Sequence, residues 1–355
     1  MKEQVKTLVA LCHRYGTTKY VKGGGGNISW KREDILLIKA SGTYLSQASE
    51  DTLVAVSRQP LRALYQASVP QDLKAREAWA KQIIQQAVVF QMAPGRASVE
   101  TPLHDLFEAT YVVHTHPPIV NGLSCARDAE SACHALFPEA MWVPYVDPGV
   151  TLCLLVKRQF EEYITEHGRE PSVIIMQNHG LVIAADTLEE IDALHEQVFG
   201  TLGDAYRNTG LDTRSPVFDC ELAEPPPPVD LINHTEQDLT VLKCSGFDPA
   251  PAPLTPDHVV YSGVEPFDPD NDQSLAAYRA QFGTDPRLVL YEGALYAVGV
   301  TSSQARAACD LAADGAHVIG LTGAFGGARF MSEEQWRFVV NWEAETYRQS
   351  VIMGN

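Results

Sequence analysis

Residues 98–117 read S-V-E-T-P-L-H-D-L-F-E-A-T-Y-V-V-H-T-H-P. Tyr111-Val112-Val113-His114-Thr115-His116 is rich in β-branched and aromatic residues and reads as a strand. Side chains at i and i+2 share one face of a strand, so His114 and His116 can converge on one point. Such a pair supplies two of the three or four donors that a tetrahedral zinc ion needs. The competing reading is two solvent-facing histidines beside the Pro117-Pro118 turn. Upstream, Thr101 to about Ala109 suits a short helix with Glu100 at its start, and His104 one turn later on the same face. That places His104 as a partner for Glu100 or as a structural histidine.

Working outward, Gly23-Gly24-Gly25-Gly26-Asn27-Ile28-Ser29 follows a first helix that runs to about Tyr15. Four glycines let backbone approach a ligand and turn N–H groups toward an anion, or serve as a flexible connection. Ile35 to Ala40 is a buried-strand candidate ending at Ser41-Gly42-Thr43, and Asp72 to about Val89 reads as helix. Downstream, Met141 to Gly149 is a strand and turn punctuated by proline, and Gln159 to His167 is amphipathic helix. Ser172 to Ala184 is two apolar strands around Asn178-His179-Gly180. A polar pair in so apolar a run is costly without partners, and a metal is one partner for His179. Thr187 and Glu190 then form a capping box for a long helix.

The 355-residue chain is 45% hydrophobic and 20% charged, ordinary globular composition. No run approaches the ~18 apolar residues of a membrane span, and the first helix lacks a signal-peptide core. A net charge of −18 argues against nucleic acid or an anionic membrane as partner, but not against a phosphorylated small molecule. The seven cysteines (12, 125, 133, 153, 220, 244 and 309) are scattered, odd in number and without C-x-x-C. The expectation is reduced core thiols and a cytoplasmic location.

Six motifs together resemble the class II aldolase/adducin family, and they stand in the family's order. They are G-G-G-G-N-I-S (23–29), A-S-G-T (40–43), S-V-E-T-P-L-H (98–104), H-T-H-P (114–117), P-Y-V-D-P-G (144–149) and Q-N-H-G-L (177–181). The likeness spans about residues 1–213 and is nearest to the aldolase head of rhamnulose-1-phosphate aldolase/dehydrogenase fusion proteins. It implies a three-layer α/β/α fold around a largely antiparallel sheet. It implies Zn2+, with Mn2+, Co2+ or Fe2+ as alternatives, on His114, His116 and His179, and Glu100 as catalytic acid/base. Asn27, Ser41, Gly42 and Ser98 would bind the substrate phosphate. The implied reaction is retro-aldol cleavage of a ketose 1-phosphate or related sugar phosphate through a metal-stabilised enediolate, in a homo-oligomer, tetramer favoured. Sugar-phosphate 4-epimerases share the fold, but typically carry Asp in place of Glu100 and Ser in place of Pro117. Decarboxylases draw on the same chemistry. A non-catalytic adducin-like binding module is a third reading, though adducin heads lack the three histidines.

Residues 214–237, with Pro225 to Pro228, read as a stiff linker before a small α/β domain at 238–355. Arg287 to Gly299 suggests a hairpin, Ser302 to about Gly315 and Ser332 to about Ser350 suggest helices. Val318 to Gly327 is glycine-rich but lacks G-x-G-x-x-G, and the 28 residues after Gly327 leave no room for a βαβ unit. A dinucleotide is therefore not expected.

Overall fold

A computed structural model of the chain describes residues 2–66, 69–91, 95–230, 232 and 239–342. In chain order the elements begin α1 (Lys2–Tyr15), β1 (Asn27–Arg32), β2 (Ile35–Lys39), β3 (Leu53–Ser57), α2 (Arg58–Gln66), α3 (Leu73–Ala87) and β4 (Val88–Gln91). There follow α4 (Thr101–Asp105), β5 (Tyr111–Thr115), α5 (Pro118–Ser124), α6 (Ala129–Leu136), β6 (Met141–Val143), α7 (Val150–His167), β7 (Val173–Met176), β8 (Gly180–Ala185) and α8 (Leu188–Asn208). The last are β9 (Asp219–Leu222), α9 (Pro227–Asp230), β10 (Thr240–Ser245), α10 (Pro256–Ser262), α11 (Leu275–Phe282), β11 (Leu288–Tyr291), β12 (Ala294–Gly299), α12 (Ser302–Thr322) and α13 (Glu333–Val340). The chain divides into two compact units, residues 1–120 with 129–204, and residues 121–128 with 205–355.

The first unit is built on an eight-stranded sheet in the order β4-β3-β2-β1-β5-β8-β7-β6, in which only β6 and β7 run parallel. This is the largely antiparallel α/β architecture that the resemblance implies. Antiparallel partners that sit opposite each other point to the same face. The register pairs His114 with Asn27 on one side and with Val182 on the other, and Val112 with Ser29 and Ala184. These six side chains therefore share a face. Under it lie two apolar clusters. One joins Leu103, Phe107, Val112, Val156, Phe160, Ile174 and Val182 across α4, α7 and the sheet. The other joins Leu36, Ile38, Val54 and Val56 to Leu61, Leu64, Ala80 and Ile84 of α2 and α3. The apolar residues recur at strand and helix periods, which is what buries each element on one side. The opposite face is covered by α1, whose Arg14 and Tyr15 bond Asp192 of α8. The expected capping box at the start of α8 is present, with Glu190 N–H donating to Thr187 Oγ1 at 3.2 Å and Thr187 N–H donating to Glu190.

The second unit holds a four-stranded antiparallel sheet, β11-β12-β10-β9. The expected hairpin is β11–β12, with Glu292 and Gly293 both at positive φ, the turn chemistry that matches strand twist. Helix α12 packs on the sheet through Ala308, Cys309 and Ala312. It absorbs Val318 to Thr322, so the glycine-rich stretch is largely helix and not a loop. Two features differ from the sequence reading. Residues 219–222, inside the stretch expected as linker, form edge strand β9 because their backbone pairs with β10. The cysteines are not all reduced: β9 and α12 bring Cys220 and Cys309, 89 residues apart, into a disulfide that spacing arithmetic had no means of seeing. Of the last expected helix, Glu333–Val340 is observed; the expectation beyond residue 342 lies outside the described residues.

Candidate metal centre

The central pair of strands sets the site. His114 is the penultimate residue of β5 and fully buried, and His116 follows the strand end, with its N–H bonded to the Tyr20 carbonyl at 2.9 Å. His179 sits in the tight turn between β7 and β8, where Asn178 adopts φ 52°. Close approach is secured by two glycines. A Cβ on Gly180 would lie 2.4 Å from the Thr115 carbonyl oxygen and 2.7 Å from His116 Cδ2. One on Gly26, at φ +70°, would lie 2.8 Å from the His114 carbonyl oxygen.

The three imidazoles meet. Their ring centroids are 4.7, 5.1 and 5.1 Å apart, and their donor nitrogens all lie within 4.8 Å of one another. The Nε2 atoms of His114 and His116 are 3.0 Å apart. Ligands about 2.05 Å from a tetrahedral ion stand about 3.3 Å from each other, so the donor set fits a zinc-sized cation. The donor chemistry agrees. His114 Nδ1–H donates to the Leu181 carbonyl at 3.0 Å, which leaves Nε2 as the lone-pair nitrogen turned to the cluster. His179 is pulled down to about 4 by burial and then by the neighbouring His114 and His116, against the pull of Glu100. At neutral pH it is thus a neutral imidazole, the form that ligates metal.

Glu100 is at the N-cap of α4, but its carboxylate does not cap the helix. Its Oε1 lies 3.5 Å from His114 Nε2 and 3.4 Å from His179 Nε2. Burial works to raise this carboxyl, but the facing His114 and His179 outweigh it and hold it well below the ordinary range. Its Oε2 accepts from Asn27 Nδ2. Asn27 Nδ2 also donates to Ser98 Oγ at 3.2 Å, and the Glu100 N–H reaches the same hydroxyl oxygen at 3.2 Å. His104, fully buried, bonds Asn27 Oδ1 through Nε2 and Ser29 Oγ through Nδ1 at 2.7 Å. Burial first, then His114 and Lys31, push its imidazole well below its usual value.

The residues expected to bind phosphate fall into two places. Asn27 and Ser98 touch each other beside Glu100. Ser41 and Gly42 lie in a separate turn, with Gly42 at φ 82°, tied to residues 96–97 by the Ala40–Ala97 bridge and by Ser41 N–H donating to the Arg96 carbonyl at 2.8 Å. The ammonium of buried Lys39 donates to the carbonyls of Ala40 and Thr43 beneath this turn. Sequence reasoning missed Ser29 and Lys39. The available signal was a polar residue at every second position of β1 and at the end of a buried β2.

Against this geometry stand the comparisons with known proteins. Residues 6–198 match the family described as Class II Aldolase and Adducin N-terminal domain, and the chain belongs to that family. A curated relative, the uncharacterized oxidoreductase YuxG of Bacillus subtilis (strain 168), is 26% identical over 196 residues, which are 52% of this chain and 27% of that protein. The chain thus spans about a quarter of the length of that relative. Among solved structures, the N-terminal class II aldolase domain of a conserved protein from Thermoplasma acidophilum is similar at 20% identity and TM-score 0.46, covering 56% of this chain and 91% of that one. An L-fuculose 1-phosphate aldolase is similar at 16% identity and TM-score 0.41, covering 59% and 89%. No helix among the described residues is long and apolar enough to cross a membrane.

Proposed function

We propose that residues 1–213 form a metal-dependent aldolase head that cleaves a ketose 1-phosphate, or a related sugar phosphate, between C3 and C4. The observation that carries this reading is one carboxylate oxygen, Glu100 Oε1, facing two of three convergent imidazoles. His114, His116 and His179 would hold a divalent cation, Zn2+ by donor type. Bound there, it would supply Lewis-acid stabilisation of negative charge developing on substrate oxygen. Three protein ligands leave room for a substrate, as catalytic sites of this kind require.

The chain's own residues do the rest. Glu100 Oε1 holds the proton exchanged with C3 of the three-carbon fragment, giving it up on cleavage and taking it back on condensation. Acid–base groups of this type contribute about 10²–10⁴-fold. The turns at 40–43 and 96–98, joined through the Ala40–Ala97 bridge, would receive the phosphate, with the Lys39 ammonium adding positive potential from below. Burial of Asn27, Ser98 and Glu100 keeps bulk water from competing for these bonds.

Deuterium exchange at C3 of dihydroxyacetone phosphate tests the reading without knowledge of the aldehyde partner. The purified protein with stoichiometric zinc should catalyse it, a chelator should stop it, and ketose 1-phosphates should then be screened for cleavage. Glu100→Gln should retain metal and lose about 10²–10⁴-fold in exchange rate. Unchanged exchange in that variant removes Glu100 from the mechanism.

A further inference from the structure

The carboxylate of Glu100 ends a chain of hydrogen bonds whose direction is fixed at every link. A carboxylate only accepts, so the Asn27 group facing Oε2 is its amide nitrogen. The Asn27 carbonyl oxygen then faces His104 Nε2, which must carry the hydrogen. His104 Nδ1 is left with the lone pair, and the Ser29 hydroxyl donates to it at 2.7 Å. The second amide hydrogen of Asn27 goes to Ser98 Oγ. All five residues are buried, so no water offers an alternative partner at low cost. The local structure makes the chain from two short motifs. Asn27 and Ser29 are i and i+2 on β1 and share a face, and Glu100 and His104 are one turn apart at α4.

We infer that His104, held by Ser29 and acting through Asn27, is a positioning residue that decides which oxygen of Glu100 is turned to the imidazole cluster. The Asn27 amide engages Oε2 and so fixes the rotation of the carboxylate. Oε1 is thereby left as the oxygen turned to His114 and His179. Asn27 thereby serves the acid/base step and does not spend its amide on phosphate. This inference rests on the proposed aldolase reading for the step it assists, but the hydrogen-bond chain stands or falls without it.

The test has two arms on the full-length protein. The first needs no substrate: 15N-histidine NMR should find His104 as the Nε2–H tautomer, and Ser29→Ala should give a mixture of tautomers. A wild-type Nδ1–H tautomer, or no change in Ser29→Ala, overturns the relay whatever the protein catalyses. The second arm measures exchange at C3 of dihydroxyacetone phosphate. His104→Leu should lower kcat by about 10–100-fold with KM nearly constant and zinc content intact. His104→Gln, whose amide can donate where Nε2–H did, should recover most of it. A loss confined to KM in these variants would return Asn27 to phosphate binding and overturn the inference. Absence of exchange in the wild type, with the tautomer as stated, would instead sink the aldolase reading alone.

Discussion

Two buried imidazole–carboxylate arrangements, one in each unit, show what separates a site from a strut. In the second unit His258 sits between Thr255 Oγ1 and Asp314 Oδ2, each at 3.1 Å. One ring meets one hydroxyl and one carboxylate, and both of its nitrogens are satisfied inside the protein. In the first unit three rings converge, two of them face one carboxylate, and the Nε2 atoms of His114 and His116 stand 3.0 Å apart. Three donor nitrogens within 4.8 Å of one another make a set that could hold a cation, which a single ring between a hydroxyl and a carboxylate does not. Burial and residue type are shared by the two places; stoichiometry differs.

The largest effect that bears on this contrast is expected from His114→Ala. It should abolish zinc retention, read by elemental analysis after dialysis, and exchange at C3 of dihydroxyacetone phosphate should fall with it. Retained stoichiometric metal would mean that the cluster is not the ligand set. His258→Leu should behave in the opposite way. Zinc content stays at the wild-type level, while denaturant unfolding shows a loss of about 3–5 kcal/mol, because the buried His258–Asp314 contact is broken. Metal loss in that variant would break the contrast. Gly180→Ala comes next, its Cβ aimed at the Thr115 carbonyl and the His116 ring. Overpacking of this kind costs about 1–3 kcal/mol, and displacement of His116 should weaken zinc in competition with a chromophoric chelator.

The smallest effect concerns a buried cation with neither arrangement. Lys31 Nζ donates to the Ala109 carbonyl, while Asp105 and Glu108 are taken up by Arg58. Burial first, then Arg58, lowers Lys31 from 10.5 to about 7, against Asp105, Glu108 and Glu170. Between these values the unfolded chain binds more protons, so stability rises with pH across the window and the full penalty is present below about pH 7. Lys31→Met should therefore stabilise the protein most near pH 6, by a few °C at most on the order of surface-to-core corrections, and progressively less toward pH 10. Equal gains at both ends would assign the effect to packing and not to charge.

The histidine cluster was legible because two of its members obey the strand period and the third interrupts an apolar run. Much of the sheet was legible for a related reason: β2, β5, β7 and β8 are apolar runs rich in β-branched residues. The link from His104 to Glu100 was legible only as proximity. One helical turn suggested direct contact, whereas the structure inserts Asn27, which comes from a strand more than seventy residues earlier. Ser29 carried no signal of its own, since a serine in a strand is ordinary until its neighbours are known. Strand β9 was hidden for a different reason. Its residues, Asp219-Cys220-Glu221-Leu222, are largely exposed and polar, so pairing with β10 and not burial defines it.

The bond between Cys220 and Cys309 ties the two ends of an 89-residue span, and that span includes the proline-rich stretch 225–228. A protease that nicks anywhere between them leaves a molecule that still migrates as a single species on a non-reducing gel. Added thiol would split it into two fragments, so limited digestion followed by the two electrophoretic conditions reads the covalent connectivity of this unit directly.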